Sequence, residues 1–74
     1  MPEPLCVSFG RIVRNRREAA GLSQEELGER TGLSRNYVGM IERGEANPTL
    51  LVVQQIAVAL ECTMVSLVAE LERA

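Results

Sequence analysis

Seventy-four residues with 46% apolar and 24% charged side chains make one small globular domain, which buries only about 60% of the surface its unfolded chain exposes. A formal net charge of −2 speaks at first sight against a nucleic-acid binder, so any such reading must rest on where the charges lie. The chain has no His, Asp, Lys or Trp. That removes the commonest general bases, Schiff-base lysines and metal ligands, and no enzymatic activity, metal or cofactor is expected. Cys6 and Cys62 have neither metal nor redox spacing and read as free thiols, Cys62 as a small core residue.

Residues 1–6, with two prolines, read as a loose tail. They lack the basic region and apolar run of a signal peptide, and with no membrane segment in the chain a cytoplasmic location is expected. Helix one is expected from about Val7 or Ser8 to Ala20, with Phe9, Ile12 and Val13 on one side and Gly21 ending it. Arg14, Arg16 and Arg17 dominate its second half. Ser23-Gln24-Glu25-Glu26 then fits a capping box. The helix it opens runs to about Thr31, where Gly32 supplies the left-handed residue a helix-ending turn needs. Ser34 caps the next helix, Arg35 to Arg43, which stops at Gly44. Two short helices around a glycine turn cross steeply over a small apolar seam. Leu27, Leu33, Val38 and Ile41 supply that seam, and Gly28 lets the backbones approach. The outer face of the second helix carries Arg35, Asn36, Gly39, Met40 and Arg43. This is a helix-turn-helix pattern.

After the loop at residues 44–47, Pro48 and Thr49 open a capped fourth helix, Leu50 to Leu60. Its sequence LLVVQQIAVAL is apolar almost all round, so it is expected to be buried on more than one side. Leu50, Val53, Ile56, Ala57 and Leu60 form its core stripe; Leu51, Val52 and Val58 are surplus. A fifth helix from near Thr63 to about Glu72 places Leu67, Val68 and Leu71 inward and leaves Met64 and Val65 near an edge. Leu51, Val52, Val58, Met64 and Val65 are more apolar side chains than one small monomer covers, and they read as a two-fold dimer surface within residues 50–74. The whole reads as one all-α domain, residues 1–74, with its motif at 23–44. Residues 10–44 hold seven Arg against five Glu, a net of +2, and residues 45–74 hold one Arg against four Glu, a net of −3. The basic half is the motif half, and Arg suits phosphate and guanine edges.

The run GLSQEELGERTGLSRNYVGMIERGEANPTL resembles the phage-repressor and Cro-like helix-turn-helix proteins, the XRE family. SQEEL, TGLS, IERG and NPTL fall in the family order, and the likeness extends from about Phe9 to Leu67. It implies a compact five-helix, lambda-repressor-like DNA-binding domain, usually dimeric, that controls transcription. The length and the RxYxxxIERG run are similar to the controller proteins of restriction–modification operons. Arg17 invites a DNA role, but in the family an arginine at its place pairs with the glutamate matching Glu42, which implies a structural ion pair; a phosphate contact is the alternative for Arg17. Two features depart from the pattern. Arg16 stands at a usually apolar position and is expected to snorkel along the core edge or face solvent. Glu45 and Ala46 stand where basic residues often grip the DNA backbone.

A helix-turn-helix places the start of its second helix in the major groove. Arg35 and Asn36 stand there, with Gly39 and Met40 one turn on. Arg suits guanine O6/N7, Asn suits adenine N6/N7, and Met suits a thymine methyl. Gln24, Ser34, Tyr37, Arg43 and Asn47 are candidates for the sugar–phosphate backbone. The function expected is a sequence-specific regulator acting as a homodimer on an inverted-repeat operator in double-stranded DNA, with no small-molecule ligand. The alternative is a protein-interaction or antitoxin-like module of the same fold.

Overall fold

The computed structural model describes residues 4–73. Five helices follow one another: α1 (Leu5–Ala19), α2 (Gln24–Thr31), α3 (Arg35–Glu42), α4 (Leu50–Ala59) and α5 (Met64–Arg73). Among the described residues there is no strand. α1 packs on α3 and α5, α2 packs on α3 and α4, and α4 packs on α5.

Short helices need their ends satisfied, and here side chains do most of it. The Ser23 hydroxyl accepts the Glu26 N–H at 3.0 Å, while the Glu26 carboxylate accepts the Ser23 N–H at 2.9 Å. The Ser23 backbone and hydroxyl bonds hold the Glu26 carboxyl below its ordinary value. Its help to α2 is therefore present at neutral pH and fades as acid protonates it. Ser34 caps the Tyr37 N–H, Thr49 the Val52 N–H and Thr63 the Ser66 N–H. Left-handed residues close the turns after four helices: Gly21, Gly32, Gly44 and, after α4, the non-glycine Glu61 at φ 54°.

The main core gathers Phe9, Val13, Leu27, Val38, Ile41, Ile56 and Ala59. A second cluster, Ile12, Ala57 and Leu67, ties α1 to α4 and α5. Each large side chain fully removed from water contributes about 1.5–3 kcal/mol. Two glycines set the spacing. A Cβ on Gly10 would run into the Ile41 carbonyl oxygen and lie 2.7 Å from that of Glu42, so α1 crosses α3 in backbone contact. A Cβ on Gly28 would lie 2.7 Å from the Leu33 carbonyl oxygen, which fixes the close approach inside the motif.

Several expectations need correction. α1 begins at Leu5, with Pro4 as its N-cap, so the tail reading fails for residues 4–6; its first three residues lie outside the described ones. Pro4 offers no side-chain cap, and its carbonyl accepts the Val7 and Ser8 N–H groups at 3.0 and 3.1 Å. Leu50, expected in the core, is 75% exposed: it stands at the first position of α4 on the rim of an open groove shared with Leu5, Phe9, Val68 and Leu71, with too few neighbours to cover it. Val68, expected inward, is 43% exposed, and the buried residue of α5 is Leu67 alone. Val52, by contrast, packs half-buried against the main core. No single helix is long and apolar enough to cross a membrane among the described residues.

Candidate nucleic-acid interface

The α2–turn–α3 unit is held from within. The Thr31 hydroxyl donates to the Leu27 and Gly28 carbonyls (2.8 and 3.2 Å) and accepts the Leu33 N–H at 3.2 Å. Gly32 takes φ 80° to turn the chain. Val38 and Ile41 then point α3 into the core, both 1% exposed, and the opposite face is left to solvent.

That outer face carries the expected base readers. Arg35 and Asn36 are exposed at its start. Met40, one turn on and half-buried, lies on the same side, its sulfur 3.9 Å from the Asn36 amide nitrogen. Gly39 is buried although it faces outward, because neighbours cover it. A Cβ there would meet Arg43 Nη1 at 2.9 Å and Gln24 Oε1 at 3.7 Å. The missing side chain is what lets the Arg43 guanidinium lie along the helix beside Gln24. Arg43 Nε donates to Glu45 Oε2 at 3.1 Å, a pair about half exposed on both sides. That bond raises the Arg43 pKa above the ordinary arginine value.

Behind this face sits the Arg17–Glu42 pair. Arg17 Nε donates to Glu42 Oε2 at 2.6 Å and Nη2 to Oε1 at 3.0 Å, a two-pronged contact with side chains 10% and 3% exposed. Arg17 Nη1 donates to the Leu22 carbonyl at 2.7 Å. Hydrogen bonding to Glu42 raises the Arg17 pKa against the opposing effect of burial. Glu42 Oε1 also accepts from Gln24 Nε2 at 3.1 Å. The pair thus anchors α1 to α3 and steadies the first side chain of α2.

The other expected backbone contacts are placed variously. The Ser34 oxygen is already engaged as a cap, although its hydroxyl hydrogen is left to donate. Tyr37 is half-buried against the core, and Asn47 is exposed beside Cys6. Three links had no signal in the sequence: Gly10 under α3, the hold of Glu45 on Arg43, and a bridge from Arg16. Arg16 Nη1 donates to the Ser66 hydroxyl at 3.2 Å and Nη2 to Glu70 at 3.1 Å, joining α1 to α5. Both the snorkelling and the solvent-facing expectations for Arg16 missed these partners.

On α4 and α5, Leu51, Val58 and Val65 are 63%, 71% and 76% exposed. Val52 and Met64 are half-buried against the two core clusters. An apolar groove of about 160 Å³ opens nearby between Leu5, Phe9, Leu50, Val68 and Leu71.

Comparison with known proteins follows the same lines. A helix-turn-helix family model, HTH_3, matches residues 13–67. The chain is similar to an uncharacterised HTH-type transcriptional regulator, y4dJ, of Sinorhizobium fredii. The two are 46% identical over 57 residues, 77% of this chain and 73% of that protein. It is 44% identical over 52 residues to control protein C.SmaI of Serratia marcescens, covering 70% of this chain and 62% of that one. Among solved structures it is similar to the restriction-modification controller protein C.AhdI of Aeromonas hydrophila. There the TM-score is 0.82 at 44% identity, over 84% of this chain and 94% of that one.

Proposed function

The chain belongs to the helix-turn-helix family of DNA-binding transcriptional regulators, and from that premise we propose that it acts as a homodimer on an inverted-repeat operator. The observation that carries this reading is the outer face of α3. Arg35, Asn36 and Met40 stand together there on a helix whose inner side is locked into the core. A rigid helix offering donors in a fixed array suits the major groove, where each base pair presents its own pattern.

Arg35 and Asn36 read base edges in this scheme, Met40 contacts a thymine methyl, and Gly39 lets the helix sit close. Gln24, Ser34, Tyr37, Arg43 and Asn47 hold the sugar–phosphate backbone. For Gln24 the donors are its N–H at the start of α2 and the amide hydrogen that Glu42 leaves unused. Leu51, Val52, Val58, Met64 and Val65 form the contact between copies. The likeness to the restriction-modification controller protein C.AhdI and to control protein C.SmaI supports placing the chain among the regulators of restriction–modification operons, and we assign its action to the cytoplasm, where such DNA lies.

The test is selection of bound duplexes from a randomised library, followed by binding to site variants at fixed salt. Arg35→Ala is expected to weaken binding by about 1–3 kcal/mol per half-site and to relax the preference at one base pair. Gln24→Ala is expected to weaken all sequences alike. Equal losses for Arg35→Ala on selected and scrambled duplexes would make Arg35 a phosphate anchor. If no duplex is recovered, the interaction-module reading replaces this one.

A further inference from the structure

Arg43 is a cation on the rim of the proposed interface, yet a carboxylate of its own chain already holds it. Its Nε donates to Glu45 Oε2 at 3.1 Å, and its guanidinium lies over Gly39, which Gln24 also borders. Arg35, on the same helix face, has no such partner among the described residues. The hold is local. Glu45 sits two residues on, just past the left-handed Gly44, and the Glu45 N–H bonds the Met40 carbonyl at 2.9 Å, so the turn itself presents the carboxylate to Arg43.

A carboxylate oxygen on a guanidinium occupies the place a phosphate oxygen would take. We infer that Glu45 is an internal stand-in for phosphate, which holds Arg43 in the free protein and competes with the DNA backbone for its guanidinium when the α3 face meets DNA. The inference rests on the DNA-binding reading and gives it a regulator of affinity. Arg43 contributes to binding only what a phosphate offers beyond Glu45. The pair is exposed, so the effect is modest at each half-site and doubles in logarithm for a dimer. A regulator whose level sets its occupancy is thereby kept from saturating DNA of any sequence.

The experiment compares wild type, Glu45→Gln, Arg43→Ala and the double variant on one mixed-sequence duplex across a salt series. Glu45→Gln is expected to tighten binding about two- to five-fold per half-site. Its salt dependence should steepen by about one released ion per half-site. In the Arg43→Ala background the same substitution should change affinity much less, because its main target is gone. If Glu45→Gln leaves affinity unchanged or weakens it while wild type binds, the inference is overturned and the DNA reading stands. An equal gain with and without Arg43 overturns it too, since Glu45 would then repel DNA on its own account. If wild type binds neither this duplex nor any library member, the DNA reading falls and takes the inference with it.

Discussion

At the scale of single residues, charge placement is governed by burial rather than by number. Arg17 and Glu42 are nearly out of water and meet through two hydrogen bonds, with the Leu22 carbonyl taking a third Arg17 donor and the Gln24 amide a third Glu42 acceptor site. Removing one partner strands the other charge. Arg17→Met is therefore expected to lower stability by about 3–5 kcal/mol in a urea denaturation series. Glu42 hydrogen bonding raises the Arg17 pKa, so its contribution is fully present below the ordinary arginine range and lost only as pH rises through the raised value. The loss in Arg17→Met should accordingly be the same throughout the neutral range. An unchanged midpoint and slope would show that the pair adds nothing to the fold. Arg14 and Glu18, about half exposed and paired at 3.5 Å, make the contrast. An i, i+4 pair of that kind contributes little.

At the scale of helices, the ends decide. α1, α2 and α3 are each closed by a glycine with positive φ, at Gly21, Gly32 and Gly44. α4 ends otherwise: Glu61 adopts φ 54°, and the Cys62 N–H folds back onto the Ala57 carbonyl at 2.9 Å. A residue with a Cβ is disfavoured there by about 1–2 kcal/mol, partly offset in glycine by the greater freedom of its unfolded chain. The Glu61 side chain is exposed, and no hydrogen bond or ion pair ties it to another side chain among the described residues. Glu61→Gly is thus expected to stabilise the domain by up to about 1 kcal/mol, which for this size raises Tm by roughly 4–8 °C. A thermal melt at constant protein concentration tests it, and a lowered Tm would mean that the side chain does something at the α4–α5 corner.

At the scale of the whole molecule, the question is what one copy leaves uncovered. A domain 34 × 22 × 22 Å across carries Leu51, Val58 and Val65 well exposed on α4 and α5, helices outside the α2–turn–α3 motif. A two-fold axis through that surface would present two α3 helices to successive major grooves, with half-site centres about 34–36 Å apart. Substituting Val58→Glu together with Val65→Glu is expected to give monomers in sedimentation at micromolar concentration. Because avidity is lost, operator binding should fall by at least about a hundredfold. Wild type sedimenting as a clean monomer, with and without DNA, would refute the dimer.

Neighbouring residues were enough for the parts whose signals are local. The capping box at Ser23 and Glu26, the caps at Ser34 and Thr49, the glycine turn at Gly32 and the seam of Leu27, Val38 and Ile41 were all legible from spacing, because each is settled within a turn or two of chain. The order of motifs gave the family, and the family pointed to Arg17 and Glu42. Tertiary packing decided the rest. Leu50, Val52 and Val68 are equally apolar, and nothing local distinguishes the exposed first and third from the half-buried second. Their fate depends on the angle at which α4 meets α1 and α5. Gly10 reads as an ordinary helical glycine until α3 is laid across it. Arg16 finds Ser66 and Glu70 fifty or more residues away, and Gln24 finds Glu42 only because the motif folds α2 onto α3. Local hydrogen bonds are written in neighbouring residues, whereas burial and long-range pairing exist only once the helices have crossed.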